Sequence, residues 1–313
     1  MPTSRAAVLC LALAACGTSA APGPSPSASP TDHGDTAVGG QRGPGAAASG
    51  AATASGASAS SSRAPAEAPP PGDPNPLHLP ARRLALDPGK RVFAPSDLML
   101  ATAKPGSSLV LYAATALGLD GDDVIIEGRG GPPYKVHAGY VIPVPDDAKV
   151  RPGDAVVTEH GGVLKHAVVT KLAKDKTLVR FTDLDARAHE VALKHARFLR
   201  QVDGLAAGSY AAWHDGDTWR HVLLVSPFTE GGVKKWLALG FAGAAQKVDE
   251  AQLKPIPVRF NPKVGATVWA ESVGAMRRAV VVTADEQGVF TVKFERAGRP
   301  AVVGWGLAMQ PLD

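Results

Sequence analysis

The chain has 313 residues and a formal net charge of +4, with 45% hydrophobic but only 5% aromatic residues. The positive charges are spread along the sequence, not gathered into a dense basic stripe, so no nucleic-acid partner is expected. Both cysteines, Cys10 and Cys16, lie near the start, so the rest of the chain has no thiol for a disulfide, a cysteine nucleophile or a Cys-ligated metal.

Residues 6–15, AAVLCLALAA, form an apolar run behind Arg5. As a helix it rises about 15 Å, roughly half of a bilayer core, so it is too short to span and has the build of a targeting segment. It ends in Leu13-Ala14-Ala15-Cys16 followed by Gly17. This resembles the lipobox of bacterial lipoproteins. The resemblance implies removal of a signal peptide 1–15, a diacylglycerol on the Cys16 thiol and acylation of its new amino group. Gly17, in place of an aspartate, resembles lipoproteins passed on to an outer membrane. The expected localisation is therefore exported and lipid-anchored in the envelope, with the membrane as a partner through Cys16. An ordinary secretory signal cleaved near Ala20 or Ala21 is the alternative.

Residues 16–80 are expected to be a lipidated cysteine and a disordered tether. Stretches such as AAASGAATASGASASSSR (46–63) offer almost no apolar surface to offset the entropy of ordering. The Pro-rich end, 69–76, should be stiffer and close to polyproline II.

The remainder reads as repeats. Gly153, Gly208 and Gly265 each open a strand, at RPGDAVVTEH (151–160), AAGSYAAWHD (206–215) and KVGATVWAES (263–272), with spacings of 55 and 57 residues. Each opening is followed by a basic residue or pair and a β-branched or apolar run: LKHAVVTKL, WRHVLLVSP and MRRAVVVTA. A further alternating strand and a closing strand complete each unit. A weaker copy precedes them, with KPGSSLVLYAATAL (104–117) placing Gly106 in the same sense. The pattern G-x-x-V-x-A, then A-V-V-V, then V-K-F, best seen in 265–311, resembles SH3-like or Tudor-like small barrels. The expected fold is mainly β: tandem small SH3-like/Tudor-like barrels after the Ala/Gly/Ser/Pro-rich tether. The domain reading is a divergent first repeat at 81–148 and SH3-like repeats at 149–203, 204–259 and 260–313. Very short linkers predict neighbouring barrels in contact, as a semi-rigid rod or arc.

Barrels of this kind commonly bind extended peptides or modified side chains on aromatic surfaces. Carried onto this chain, that implies ligand contacts at Trp213 and Trp269, five and four positions after their glycines, and at Tyr210; closing of the small cores is the alternative role. Lys165-His166, Arg220-His221 and Arg277-Arg278 recur at one place in the unit, as a solvated face or an approach for anionic polymer; on a strand only one of each pair can face a common ligand. There is no catalytic motif, no metal-ligand spacing and no cofactor fingerprint, so no catalytic residue, metal or cofactor is expected. The expected function is a non-catalytic envelope protein displaying barrels for protein or cell-envelope polymer binding. Two alternatives stand beside it: a cell-wall or glycan hydrolase with an acidic cleft, and a purely structural envelope assembly protein.

Overall fold

The computed structural model describes residues 72–127, 131–145, 149–160, 163–174, 176–181, 188–192, 198–286, 288–295 and 299–312. The expected signal segment 1–15, Cys16 and most of the expected tether lie outside the described residues.

The folded part is mainly β and is built from four small SH3-like/Tudor-like barrels. The first contains β1 (Arg91–Ala94), β2 (Tyr112–Asp120), β3 (Asp123–Ile126), β4 (Tyr134–His137) and β5 (Ile142–Val144). A short helix, α1 (Asp97–Ala101), capped by Ser96, interrupts it between β1 and β2. The second contains β6 (Ala155–His160), β7 (Val163–Leu172), β8 (Lys176–Phe181), β9 (Ala188–Ala192) and β10 (Leu199–Arg200). The third contains β11 (Tyr210–Asp215), β12 (Thr218–Glu230), β13 (Val233–Leu239), β14 (Ala245–Asp249) and β15 (Leu253–Pro255). The fourth contains β16 (Thr267–Ser272), β17 (Ala275–Ala284), β18 (Val289–Phe294), β19 (Ala301–Gly304) and β20 (Ala308–Met309). In every barrel the fifth strand pairs beside the first, giving the orders β5-β1-β2-β3-β4, β10-β6-β7-β8-β9, β15-β11-β12-β13-β14 and β20-β16-β17-β18-β19.

One local device recurs four times and explains this order. A turn places glycine at positive φ, at Gly89 (83°), Gly153 (86°), Gly208 (81°) and Gly265 (84°). That is the third position of a type II-like turn, which an L side chain resists. Each glycine N–H donates to the second strand of its own barrel, at the carbonyls of Ala116, Val169, Leu224 and Val281, over 2.7–2.9 Å. The same four residues donate back to Lys90, Asp154, Ser209 and Ala266. Immediately beyond each of them the second strand bulges, between Ala116 and Gly118, Val169 and Lys171, Leu224 and Ser226, and Val281 and Thr283. A bulge bends and twists its strand, which lets a five-stranded sheet curl toward closure.

Gly89, in Asp87-Pro88-Gly89-Lys90, therefore opens the first barrel; Gly106, expected in that role, does not. Gly106 lies in the segment inserted between β1 and β2. That segment is a strap on the third barrel: Gly106 N–H donates to the Ala245 carbonyl (2.9 Å), Ala245 N–H to Ser107 (2.9 Å) and Leu109 N–H to Gly243 (2.8 Å).

The fold also begins earlier than residue 81. Leu77 and Leu79 are buried, and the Leu77 N–H donates to the Tyr140 hydroxyl (2.9 Å). The Asn75 side chain bridges the Leu79 N–H and carbonyl (2.8 and 2.9 Å). Two leucines covering the first core outweigh the prolines around them, so 73–80 belongs to the first barrel and not to the tether.

The barrels touch beyond their sequence neighbours, which a simple rod would not allow. Val225, Leu237, Leu239 and Ala245 of the third barrel join the core of the first. The Ser226 hydroxyl donates to the Gly139 carbonyl, and Glu159 of the second barrel accepts the Ala113 N–H of the first (2.8 Å). Arg180 of the second pairs with Asp285 of the fourth (2.6 Å). The third and fourth sheets are joined where Arg220 pairs with Ala275 and the His221 N–H donates to Gly274 (2.9 Å).

Within the fourth barrel, Gly288 lies at a φ of 80°, and a Cβ there would run into the Trp305 ring. Gly288→Ala is expected to cost about 2 kcal/mol or more, from the left-handed backbone and the overpacked indole together. A urea midpoint equal to wild type would refute this packing.

Candidate functional site

Strand register decides where the tryptophans point. Ala212 pairs with His221, and Trp269 pairs with Arg278, so these two are structural equivalents; Trp213 corresponds to Ala270. Successive strand residues face opposite ways. Trp213 therefore closes the end of its own barrel, packed on the cluster of Ala211, Val222, Leu224 and Trp236, while its Nε1 donates to Gln252 (3.4 Å). Trp269 faces out of its barrel and packs on the cluster formed by Ala212, Ile256, Met276, Met309 and Leu312, at the joint of the third and fourth barrels. Both are half-buried, but they do not share a face. The count from the glycine, five and four, hid a one-residue offset.

Tyr210 stands at the centre of the assembly. Its ring stacks on His166 of the second barrel (3.6 Å between centroids) and tilts against His221 of its own (4.2 Å). His166 and His221 occupy one repeat position, each three residues before the bulge carbonyl. Each points Nε2 at a carbonyl of the following barrel: His166 at Gly208 and His221 at Gly306, both at 2.9 Å. Burial pushes the His166 imidazole down to about 3. Burial also holds His221 below its ordinary value, against the upward pull of the Gly306 carbonyl and the Glu271 charge. A neutral imidazole that donates from Nε2 suits both positions. At the same place in the fourth barrel stands Arg278, exposed and 3.6 Å from Glu295. The recurring basic ladder is thus two inward histidines and one outward arginine.

Above this joint lies a cleft of about 320 Å³ with a wall from every barrel. The strap contributes Leu109, Val110 and Leu111, the second barrel Leu164, the third Leu223 and Leu239, and the fourth Leu307. Tyr210, His221 and Glu271 line it as well. A second chamber of about 240 Å³ adjoins it, lined by Trp213, Arg220, Ala238 and Gln246 among others, and shares Gly240, Phe241 and Gly274 with the first. Phe241 forms the ridge between the chambers and is 61% exposed. The cleft size falls at the lower end of ligand pockets, and a mostly apolar lining with a few polar groups is their usual composition. Of the sequence-predicted residues, the structure brings Tyr210 to the first chamber and Trp213 to the second; Trp269 lines neither. Phe241, Glu271 and the strap leucines were not singled out by sequence. The signal that could have found that loop is the pair of glycines around Phe241, Gly240 and Gly243.

Fold and cleft define a class: a four-barrel β assembly in which every barrel lines a shared, open cleft. No family model matches the chain, and no curated protein matches it. Among solved structures, the four MBT repeats of Drosophila melanogaster Sfmbt, crystallised in complex with the peptide RHR (me)K VLR, cover 70% of this chain and 86% of that one. The identity is 9% and the TM-score 0.15. The barrel class stands on the strand order and the four repeated turns.

Proposed function

We propose that this chain is a non-catalytic, lipid-anchored envelope protein whose four barrels close one cleft around a protein segment or an envelope polymer. The observation that carries the reading is the shared cleft, walled by all four barrels and ridged by an exposed phenylalanine. Isolated exposed phenylalanines are ordinary, but one set between an apolar chamber and a mixed one offers a large apolar face to a ligand that spans both.

A photoreactive benzoylphenylalanine at position 241 is expected to crosslink an envelope component in cells. The same group at Val264, which is 65% exposed and lines neither chamber, should not. Equal yields at the two positions would sink the proposal. The anchor is tested separately. Cys16→Ser should move the protein from the detergent phase to the aqueous phase, and unchanged partitioning would remove the lipid from the reading.

A further inference from the structure

Resting on the reading of the cleft as a binding site, we propose that its larger chamber holds a single aliphatic acyl chain borne by the envelope component that the cleft binds, another molecule than the protein's own lipid. Seven aliphatic side chains line it, against one formal charge, Glu271.

Many of the hydrogen-bonding groups in the walls are already engaged within the protein. Glu271 Oε1 accepts the Gly274 N–H (2.7 Å), and the Gly274 carbonyl accepts the His221 N–H (2.9 Å). His221 Nε2 is engaged with Gly306. The Gly243 carbonyl accepts from Leu109, and the Gly240 N–H donates to Ala244 (both 2.8 Å). Leu223 and Leu239 pair with one another in the sheet. A peptide carries an N–H and a carbonyl at every residue, and each that loses water against the seven aliphatic walls needs a partner that those side chains cannot give. A hydrocarbon chain loses nothing of the kind and gains from leaving water.

Size sets the length. A methylene takes up about the volume of a liquid water, roughly 30 Å³. A chamber of about 320 Å³ therefore holds about ten carbons. The lipid's polar head would remain at the mouth, outside the leucine walls.

The test uses the mature-length chain, residues 16–313, with Cys16→Ser, titrated calorimetrically with monoacylglycerols of about six to fourteen carbons kept below micelle formation. Affinity should rise about fourfold per added methylene, then level off near about ten carbons. Leu164→Trp, which fills the chamber from the second barrel, should weaken the ten-carbon ligand at least about tenfold. Leu223→Phe serves the same purpose if the first variant does not fold. Absence of binding at every length overturns the inference. So does affinity that climbs without levelling and is equal in both variants, which is surface association. If a capped leucine-rich peptide binds and the monoacylglycerols do not, the acyl chain is overturned while the cleft reading stands. If neither binds and residue 241 gives no crosslink, both fall. If natively lipidated protein takes up no monoacylglycerol while the Cys16→Ser chain does, the occupant is the protein's own lipid and supply from another molecule is overturned.

Discussion

Trp269→Ala is expected to lower the stability of the folded part by about 3 kcal/mol. For a unit of this size that shifts the melting temperature by roughly 6–12 °C. The indole is half-buried and lies with Met276, Met309, Leu312 and Ile256 at the joint of the third and fourth barrels. Its removal opens a void between two barrels that a local side-chain adjustment cannot fill. A ligand-contact tryptophan would behave in the opposite way, with binding lost and the fold spared. Differential scanning of the variant decides between the two roles: a melting temperature within about 2 °C of wild type would show that Trp269 is not a joint residue.

The protein is also expected to lose stability in mild acid. His166 is neutral in the folded state down to about pH 3, whereas an unfolded histidine takes up its proton near 6.5. The unfolded chain therefore binds more protons as pH falls from 6.5 toward 3, and folding stability falls with it. His166 alone should contribute nearly 1.4 kcal/mol of loss per pH unit below about 6, or about 2 kcal/mol by pH 5. His221 and His137, both lowered by burial, act in the same direction. The lysine-paired carboxylates Asp120 and Glu230, with values below their ordinary ones, lose their contribution only at lower pH. Between pH 6.5 and 5 the histidines are opposed by Asp123, whose carboxyl burial raises, so the His166 share is read from the difference between wild type and variant. Urea midpoints measured at pH 7.5 and 5 should differ, and His166→Gln should flatten that difference. An identical pH slope in the variant would mean that the buried imidazole is not responsible.

The repeat architecture was legible because turn chemistry is local. R-P-G-D, A-A-G-S and K-V-G-A each place glycine where only a residue without Cβ sits easily at positive φ, and the β-branched run that follows pairs back onto it. The first barrel was misread because K-P-G-S at 104–107 forms the same kind of turn; the Ser107 N–H donates to Lys104 (2.8 Å). D-P-G-K at 87–90 carries the true opening. The inserted strap separates it from its partner strand by eleven residues more than in the other barrels. The candidate site was far less legible. Tyr210 and Trp213 were marked as aromatic strand residues, but which face each one takes depends on register, and a slip of one residue reverses it. The cleft itself arises from contacts between barrels that are distant in sequence. No pattern within one repeat encodes the meeting of Leu109, Leu164, Leu223 and Leu307.

The strap has a consequence for dissecting this molecule. Its hydrogen bonds cover the start of β14, the outermost strand of the third sheet. A fragment that omits the first barrel would expose that backbone edge, together with Val225, Leu237 and Leu239, which belong to the shared core. An uncovered strand beside bare aliphatic side chains is a template for pairing with other copies. Such a fragment should therefore self-associate, even though each of its remaining barrels keeps its own turn and its own five strands.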